Sequence, residues 1–209
     1  METLIIYGCG GHARSVAAAV KDNWNIIFVD PGARPGEKIF GFDVVPDLDA
    51  VSNFENCFFH VAVGEGGKRK AVFEMLKCKN FRFPVLRAAS AMIGPESVIG
   101  EGTFIGEGVY IGPRVSIGKN NIINTRAVVE HDAVVQDHTH ISINAAVAGY
   151  SEVGSSVMLG AAAAVIDHIS ICDDVVIGAG AVVCRDITAA GVYVGVPAVK
   201  IKDIDHEQN

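Results

Sequence analysis

The chain has 209 residues, enough for one large domain or two small ones at roughly 150 residues per domain. Half of the residues are apolar and 20% are charged, which excludes wholesale disorder. With 17 Lys+Arg against 24 Asp+Glu the formal net charge is -7, which argues against a phosphate-neutralising nucleic-acid surface. No apolar run reaches the roughly 18 residues of a membrane-crossing helix. Glycines and His12 follow the start too closely for a secretory leader. The five cysteines (Cys9, Cys57, Cys78, Cys172, Cys184) are widely spaced and contain no C-x-x-C. They read as small buried apolar residues in a reducing cytoplasm.

The first elements alternate. An apolar strand over 3–8 ends in glycines, a helix runs over 12–23, and a second strand over 25–30 ends in Asp30. After a loop come a third strand over 57–64 and a helix over 68–80. This β-α-β-β-α order predicts a parallel sheet with its ligand at the strand C-termini. Gly8-Cys9-Gly10-Gly11-His12-Ala13 reads G-x-G-x-x-A between strand and helix, with Asp30 at the dinucleotide spacing. Its bare backbone N–H groups and the helix N-terminus suit a phosphate. A whole dinucleotide needs two such halves, and this segment is one. A single nucleotide, or the diphosphate and sugar of one, fits better, with Gly64 at the end of the third strand.

Near residues 84–92 the composition changes, which sets a boundary between a 1–84 nucleotide-sugar-binding domain and an 85–209 domain. From Ile93 every sixth residue is aliphatic through Val183, sixteen in succession. No helical period holds one face that long. Each hexad predicts a short strand and a corner, and three hexads make a turn of 18 residues. Turns stack at about 4.8 Å into a three-sided prism with the aliphatic ladder inside.

Among the histidines (His12, His60, His131, His138, His140, His168, His206), His131, His138 and His140 sit two, three and five places after their aliphatic residues. They point in different directions, so no shared metal is expected. One coil beyond His131 lies Gly149, which sets an imidazole beside a bare backbone N–H. A base with an oxyanion donor is what acyl transfer to an amine or alcohol requires, and Asp132 can orient the ring. Spacing alone fits an exposed histidine on a repeat surface equally well.

The ladder resembles the left-handed β-helix of hexapeptide-repeat acyltransferases. Together with Gly10-Gly11-His12, Ile123-Asn124-Thr125, Val129-Glu130-His131-Asp132, His140 and the tail Gly195-Val196-Pro197-Ala198, the chain resembles the sialic acid O-acetyltransferase (NeuD) and UDP-amino-sugar N-acetyltransferase (PglD) family. The resemblance implies an α/β half-Rossmann domain followed by that β-helix. It implies acetyl-CoA-dependent transfer to the amino group of a nucleotide-linked sugar, a UDP-4-amino-4,6-dideoxy sugar, with no metal. His131 is then the general base and Asp132 its support. Gly10, Gly11, His12, Asp30, Gly64 and Asn124 hold the nucleotide sugar. Acetyl-CoA lies near His140, Gly149, Ala161 and Ala179, between subunits of a homotrimer. Asp132 stands where the amino-sugar enzymes carry Glu, one methylene longer. Two alternatives remain: O-acetylation of sialic acid or a related hydroxyl, and a silent scaffold that only trimerises and senses a nucleotide.

Overall fold

The computed structural model describes residues 1–51 and 57–204, so His206 lies outside the described residues. The first half contains β1 (Thr3–Tyr7), α1 (Gly11–Val20), β2 (Asn25–Val29), β3 (Lys38–Ile39), β4 (Phe42–Val45), β5 (Cys57–Val61) and α2 (Gly66–Lys77). The sheet order is β3-β4-β2-β1-β5. Strand β1 runs parallel to both neighbours, with Ile5 opposite Ile27 and Phe59. Ala13, Val16 and Ala17 of α1 cover Leu4 and Ile6. Phe73 and Leu76 of α2 share a second cluster with Ile5 and Phe59. Burial on both faces explains why the strands read as unbroken apolar runs. The sheet has two strands more than the sequence reading: β3 and β4 form an antiparallel hairpin, and β4 adds in parallel to β2. Their turn closes at Phe40 and Gly41, both at positive φ (53° and 86°).

The second half is a left-handed parallel β-helix of two-residue rungs. Each rung pairs with the rung 18 residues on, as Tyr110–Ile111 does with Val128–Val129. The first face carries Leu86–Arg87, Phe104–Ile105, Ile122–Ile123, His140–Ile141, Met158–Leu159 and Val175–Ile177. The second runs from Met92–Ile93 to Val182–Val183, and the third from Val98–Ile99 to Ser170–Ile171. From Met92–Ile93 on, the second residue of each two-residue rung faces inward, and the ladder from Ile105 to Val183 is buried in one core; in the Leu86–Arg87 rung it is Leu86 that is buried. Each such side chain contributes about 1.5–3 kcal/mol of gross stabilisation.

The corners follow from backbone conformation. Every sixth residue from Glu96 to Gly180 has φ between 52° and 71°, the left-handed region. Glycine fits there at Gly102. Gly100, just after its ladder residue, is needed for another reason: a Cβ there would lie 2.5 Å from the Gly118 backbone of the next turn. Four places after each ladder residue the side chain is small or β-branched except at Asn121, whose side chain accepts from the Thr139 N–H inside the prism.

The α/β half docks on the first face. Leu86, Phe104 and Ile122 belong to the same core cluster as α1 and β1. Strands Gly191–Val194 and Val199–Lys202 extend that face as a hairpin the sequence did not reveal. Of the five cysteines only Cys57 is buried; Cys78 and Cys184 are exposed and Cys9 and Cys172 half-buried. The reading of all five as core residues is therefore corrected: Cys78 caps an exposed helix end, and Cys184 lies past the last rung of the second face.

Candidate active site

At the glycine loop, Gly8 has φ 109°, and a Cβ on it would meet the Ala62 carbonyl oxygen at 2.9 Å, so β1 and β5 end in close contact. Gly10 and Gly11 face open space. Gly10 is the N-cap of α1, with no side-chain cap and no acid in the first turn. The first N–H groups of α1 are therefore available to an anion. Helix α2 differs: Glu65 caps it, accepting from the Lys68 N–H. A phosphate is favoured at α1 and repelled at α2. Asp30 accepts from the N–H of Cys9 at 2.9 Å and of Gly32 at 2.8 Å. Burial alone raises its pKa, but the donors from Gly32 and Cys9 outweigh that and hold the carboxyl below its usual range. Its carboxylate thus ties the glycine loop to the loop after β2. Gly64 lines a groove of about 460 Å³ between the start of α2 and the first face, with Glu65, Lys70, Ser156, Met158 and Asp174.

Under the loop lies a buried polar cluster. His12, His60 and Phe104 sit ring to ring, with centroids 5.6–6.2 Å apart. His60 is 1% exposed, and both its nitrogens lack partners, as does His12 Nε2. Arg69 of α2 reaches across to the coil, donating to the Asn120 carbonyl at 3.3 Å and the His138 carbonyl at 2.6 Å. His140 Nε2 lies 3.2 Å from Asn124 Nδ2. Burial, then the Arg69 charge, pushes His60 down to about 3 and His140 to about 4. Burial also holds His12 well below its usual value, with His60, His140 and Arg69 adding to the effect. Arg69 itself is pushed down to about 10 by burial, against the pull of Glu65.

His131 stands on the corner between the second and third faces. Its ring lies over Gly149, where a Cβ would be 2.7 Å from His131 Cε1. Asp132 reaches the ring despite its short side chain: Oδ2 is 3.0 Å from His131 Nδ1. Its other oxygen pairs with Arg114 Nε at 3.2 Å. A carboxylate only accepts, so Nδ1 carries the proton and Nε2 presents its lone pair. Among the described residues no backbone carbonyl accepts from the Gly149 N–H. The arrangement can take a proton at Nε2 and offer a donor to a nearby oxyanion.

The residues singled out from the coil, with His12, thus fall into three groups. His12, Asn124 and His140 gather where the α/β half meets the first face. Ala161 and Ala179 are neighbouring turns of the corner between the first and second faces, where Gly180 N–H donates to the Ala161 carbonyl at 2.8 Å. His131, Asp132 and Gly149 lie on another corner, opposite the first face. His60 and Arg69 were missed, as was Tyr150, whose ring meets His131 edge-on. Among the described residues no group of three or more His, Cys, Asp or Glu could hold a metal ion, and no helix is long and apolar enough to cross a membrane.

Residues 3–76 match the PglD N-terminal domain, and residues 96–131 match the bacterial transferase hexapeptide of six repeats. A histidine-to-asparagine mutant of perosamine N-acetyltransferase from Caulobacter crescentus, in complex with CoA and GDP-perosamine, superposes with a TM-score of 0.90. It is 31% identical, over 97% of this chain and 98% of that one. The chain belongs to the PglD/NeuD-like hexapeptide acyltransferases. The acetyltransferase domain of PglB from Neisseria gonorrhoeae, in complex with acetyl coenzyme A, gives a TM-score of 0.89 at 29% identity, over 96% and 99% of the two chains. WeeI from Acinetobacter baumannii shares the fold, with a TM-score of 0.79 at 21% identity over 96% and 100%. UDP-3-O-acylglucosamine N-acyltransferase from Bordetella avium (strain 197N) is 41% identical over 59 residues, which is 28% of this chain and 16% of that protein. This hexapeptide acyltransferase therefore carries the family's two parts, a glycine-loop sheet domain and an acyltransferase coil.

Proposed function

We propose that the protein transfers the acetyl group of acetyl-CoA to the amino group of a nucleotide-linked 4-amino-4,6-dideoxy sugar, with His131 as general base. The observation that carries this reading is the His131 ring, held at Nδ1 by Asp132 3.0 Å away and resting on Gly149. The neutral amine attacks the thioester carbonyl while His131 Nε2 takes its proton. The Gly149 N–H holds the developing oxyanion. As the carbon–sulfur bond breaks, the imidazolium returns that proton to the departing CoA sulfur, so no cysteine carries the acetyl group. The glycine loop and α1 hold the diphosphate, and His12, Asn124 and His140 take the sugar. Supporting the nucleotide sugar and the thioester are the ligands of the Caulobacter and Neisseria relatives, CoA with GDP-perosamine and acetyl coenzyme A. The free thiols of Cys9, Cys78, Cys172 and Cys184 suit the cytoplasm.

A single chain separates the base from the nucleotide loop by the depth of the prism, whose sides of six residues span at most about 20 Å. We therefore place the reaction between neighbouring subunits of a homotrimer, with the loop and first face of one chain facing the His131 corner of the next. Acetyl-CoA then lies between the Ala161–Ala179 corner and Gly149. Transfer assayed on UDP- and GDP-linked amino sugars tests the reading. His131→Ala is expected to lower kcat on the order of 10²–10⁴-fold with melting temperature kept. Turnover only on a sialic acid hydroxyl, or none on any acceptor, overturns it.

A further inference from the structure

On the corner that carries His131, the left-handed position recurs every 18 residues. Arg114, Asp132, Tyr150 and His168 share it, with φ of 59–60°. Identical backbone conformation in successive turns projects these side chains as one column. Tyr150 and His168 lie parallel, with centroids 4.9 Å apart and planes within 4°. His131 is one residue out of register with the column, so its ring turns across Gly149 and meets the Tyr150 ring at 5.3 Å and 84°.

The imidazole is thus bounded on three sides. Asp132 holds Nδ1, the ring fills the space beside Gly149 that a Cβ would occupy, and the Tyr150 ring stands beside it. The His131 side chain is 48% exposed, so one hydrogen bond at the surface would leave the ring free to swing. An edge-to-face ring contact supplies the second restraint that selects one orientation. The Tyr150 hydroxyl makes no hydrogen bond among the described residues, so the contribution belongs to the ring.

We propose that Tyr150 is a positioning residue for His131: its ring, braced by His168, fixes the imidazole with Nε2 turned outward to the acceptor. This rests on His131 being the base. Tyr150 is 52% exposed, so its replacement leaves the core of the coil intact.

The test uses the full chain in its native assembly, with subunit number and melting temperature checked for each variant. Tyr150→Ala is expected to lower kcat about 10–100-fold while KM for acetyl-CoA changes by less than about twofold. Tyr150→Phe restores the rate, because it keeps the ring. His168→Ala, which removes only the brace, gives a loss of a few-fold. Nitrogen NMR of ring-labelled histidine, with the His131 signals assigned by their disappearance in His131→Ala, reports a single Nδ1–H tautomer in the wild type and a mixture in Tyr150→Ala. In a His131→Ala background, Tyr150→Ala adds no further loss. A Phe variant as slow as the Ala variant, or an unchanged tautomer with an unchanged rate in Tyr150→Ala, overturns the proposal. If His131→Ala itself keeps its rate, the base assignment fails instead, and the tautomer measurement still decides whether Tyr150 orients the ring.

Discussion

His131 stands at a solvent-facing corner with a carboxylate at one ring nitrogen and the other nitrogen open. His12, His60 and His140 lie on the opposite side of the prism, within reach of the charge of the buried Arg69 guanidinium. Both regions offer imidazoles, yet only the first suits proton transfer. A base must become a cation in the transition state, and His131 stands at the surface, where that charge stays in reach of solvent. Burial and the Arg69 charge disfavour it for the second group. Those histidines are held neutral, which leaves them unsuited to deprotonating a substrate. The histidines thus sort by surroundings, with the proposed base on the coil edge and the proposed sugar-holding pair, His12 and His140, under the docked domain.

The comparison breaks most visibly at Gly149. The Cβ of Gly149→Ala would fall 2.7 Å from His131 Cε1, so the ring must move. A displacement of about 1 Å costs on the order of 10²-fold in kcat. The Kd for the nucleotide sugar, measured by calorimetry, is expected to stay near wild type, because Gly149 takes no part in the proposed hold of the glycine loop and α1 on the diphosphate. A nucleotide-sugar Kd that rises in step with the loss of kcat would argue that the two regions are not separate.

A smaller effect sharpens the buried side. With His60 at about 3 in the folded state and near 6.5 when unfolded, the unfolded chain binds a proton that the native one rejects. Its contribution is complete above the unfolded value and is lost as pH falls below it, at roughly 1.4 kcal/mol per pH unit down to the folded value. The melting temperature of the wild type should therefore drop between pH 7.5 and 5.5. His60→Phe, which fills the space without a titrating group, should drop less. Equal drops in the two proteins would show that His60 is not held neutral.

Much of this was legible in the sequence, and the reasons are physical. A six-residue period can only be a coil, so the buried ladder and the 18-residue neighbour rule followed from counting. That rule placed Gly149 against His131 before any coordinates. The same rule puts Tyr150 and His168 in the Asp132 column, a signal that was present and unread. Arg69 left no such mark. It sits among Lys68 and Lys70 in what reads as a solvated helix face, and its partners Asn120 and His138 are 51 and 69 residues away. Only the docking of the sheet domain on the first face brings them together. His60 is hidden in the same way, one polar residue in an apolar strand. The β3–β4 hairpin escaped because strands of two and four residues around Gly41 carry too little pattern.

The central claim is that the base of one chain serves the nucleotide loop of the next, and mixed trimers test it directly. His131→Ala keeps the loop and lacks the base. Gly10→Asp keeps the base and sets a negative charge at the N-cap of α1, where the diphosphate would bind. Each protein alone should be nearly inactive. In doubly tagged trimers containing both chains, cyclic symmetry leaves about one site in three with an intact loop and an intact base. Recovery of about a third of the wild-type rate is the predicted result; mixed trimers as inactive as their parents would contradict the account.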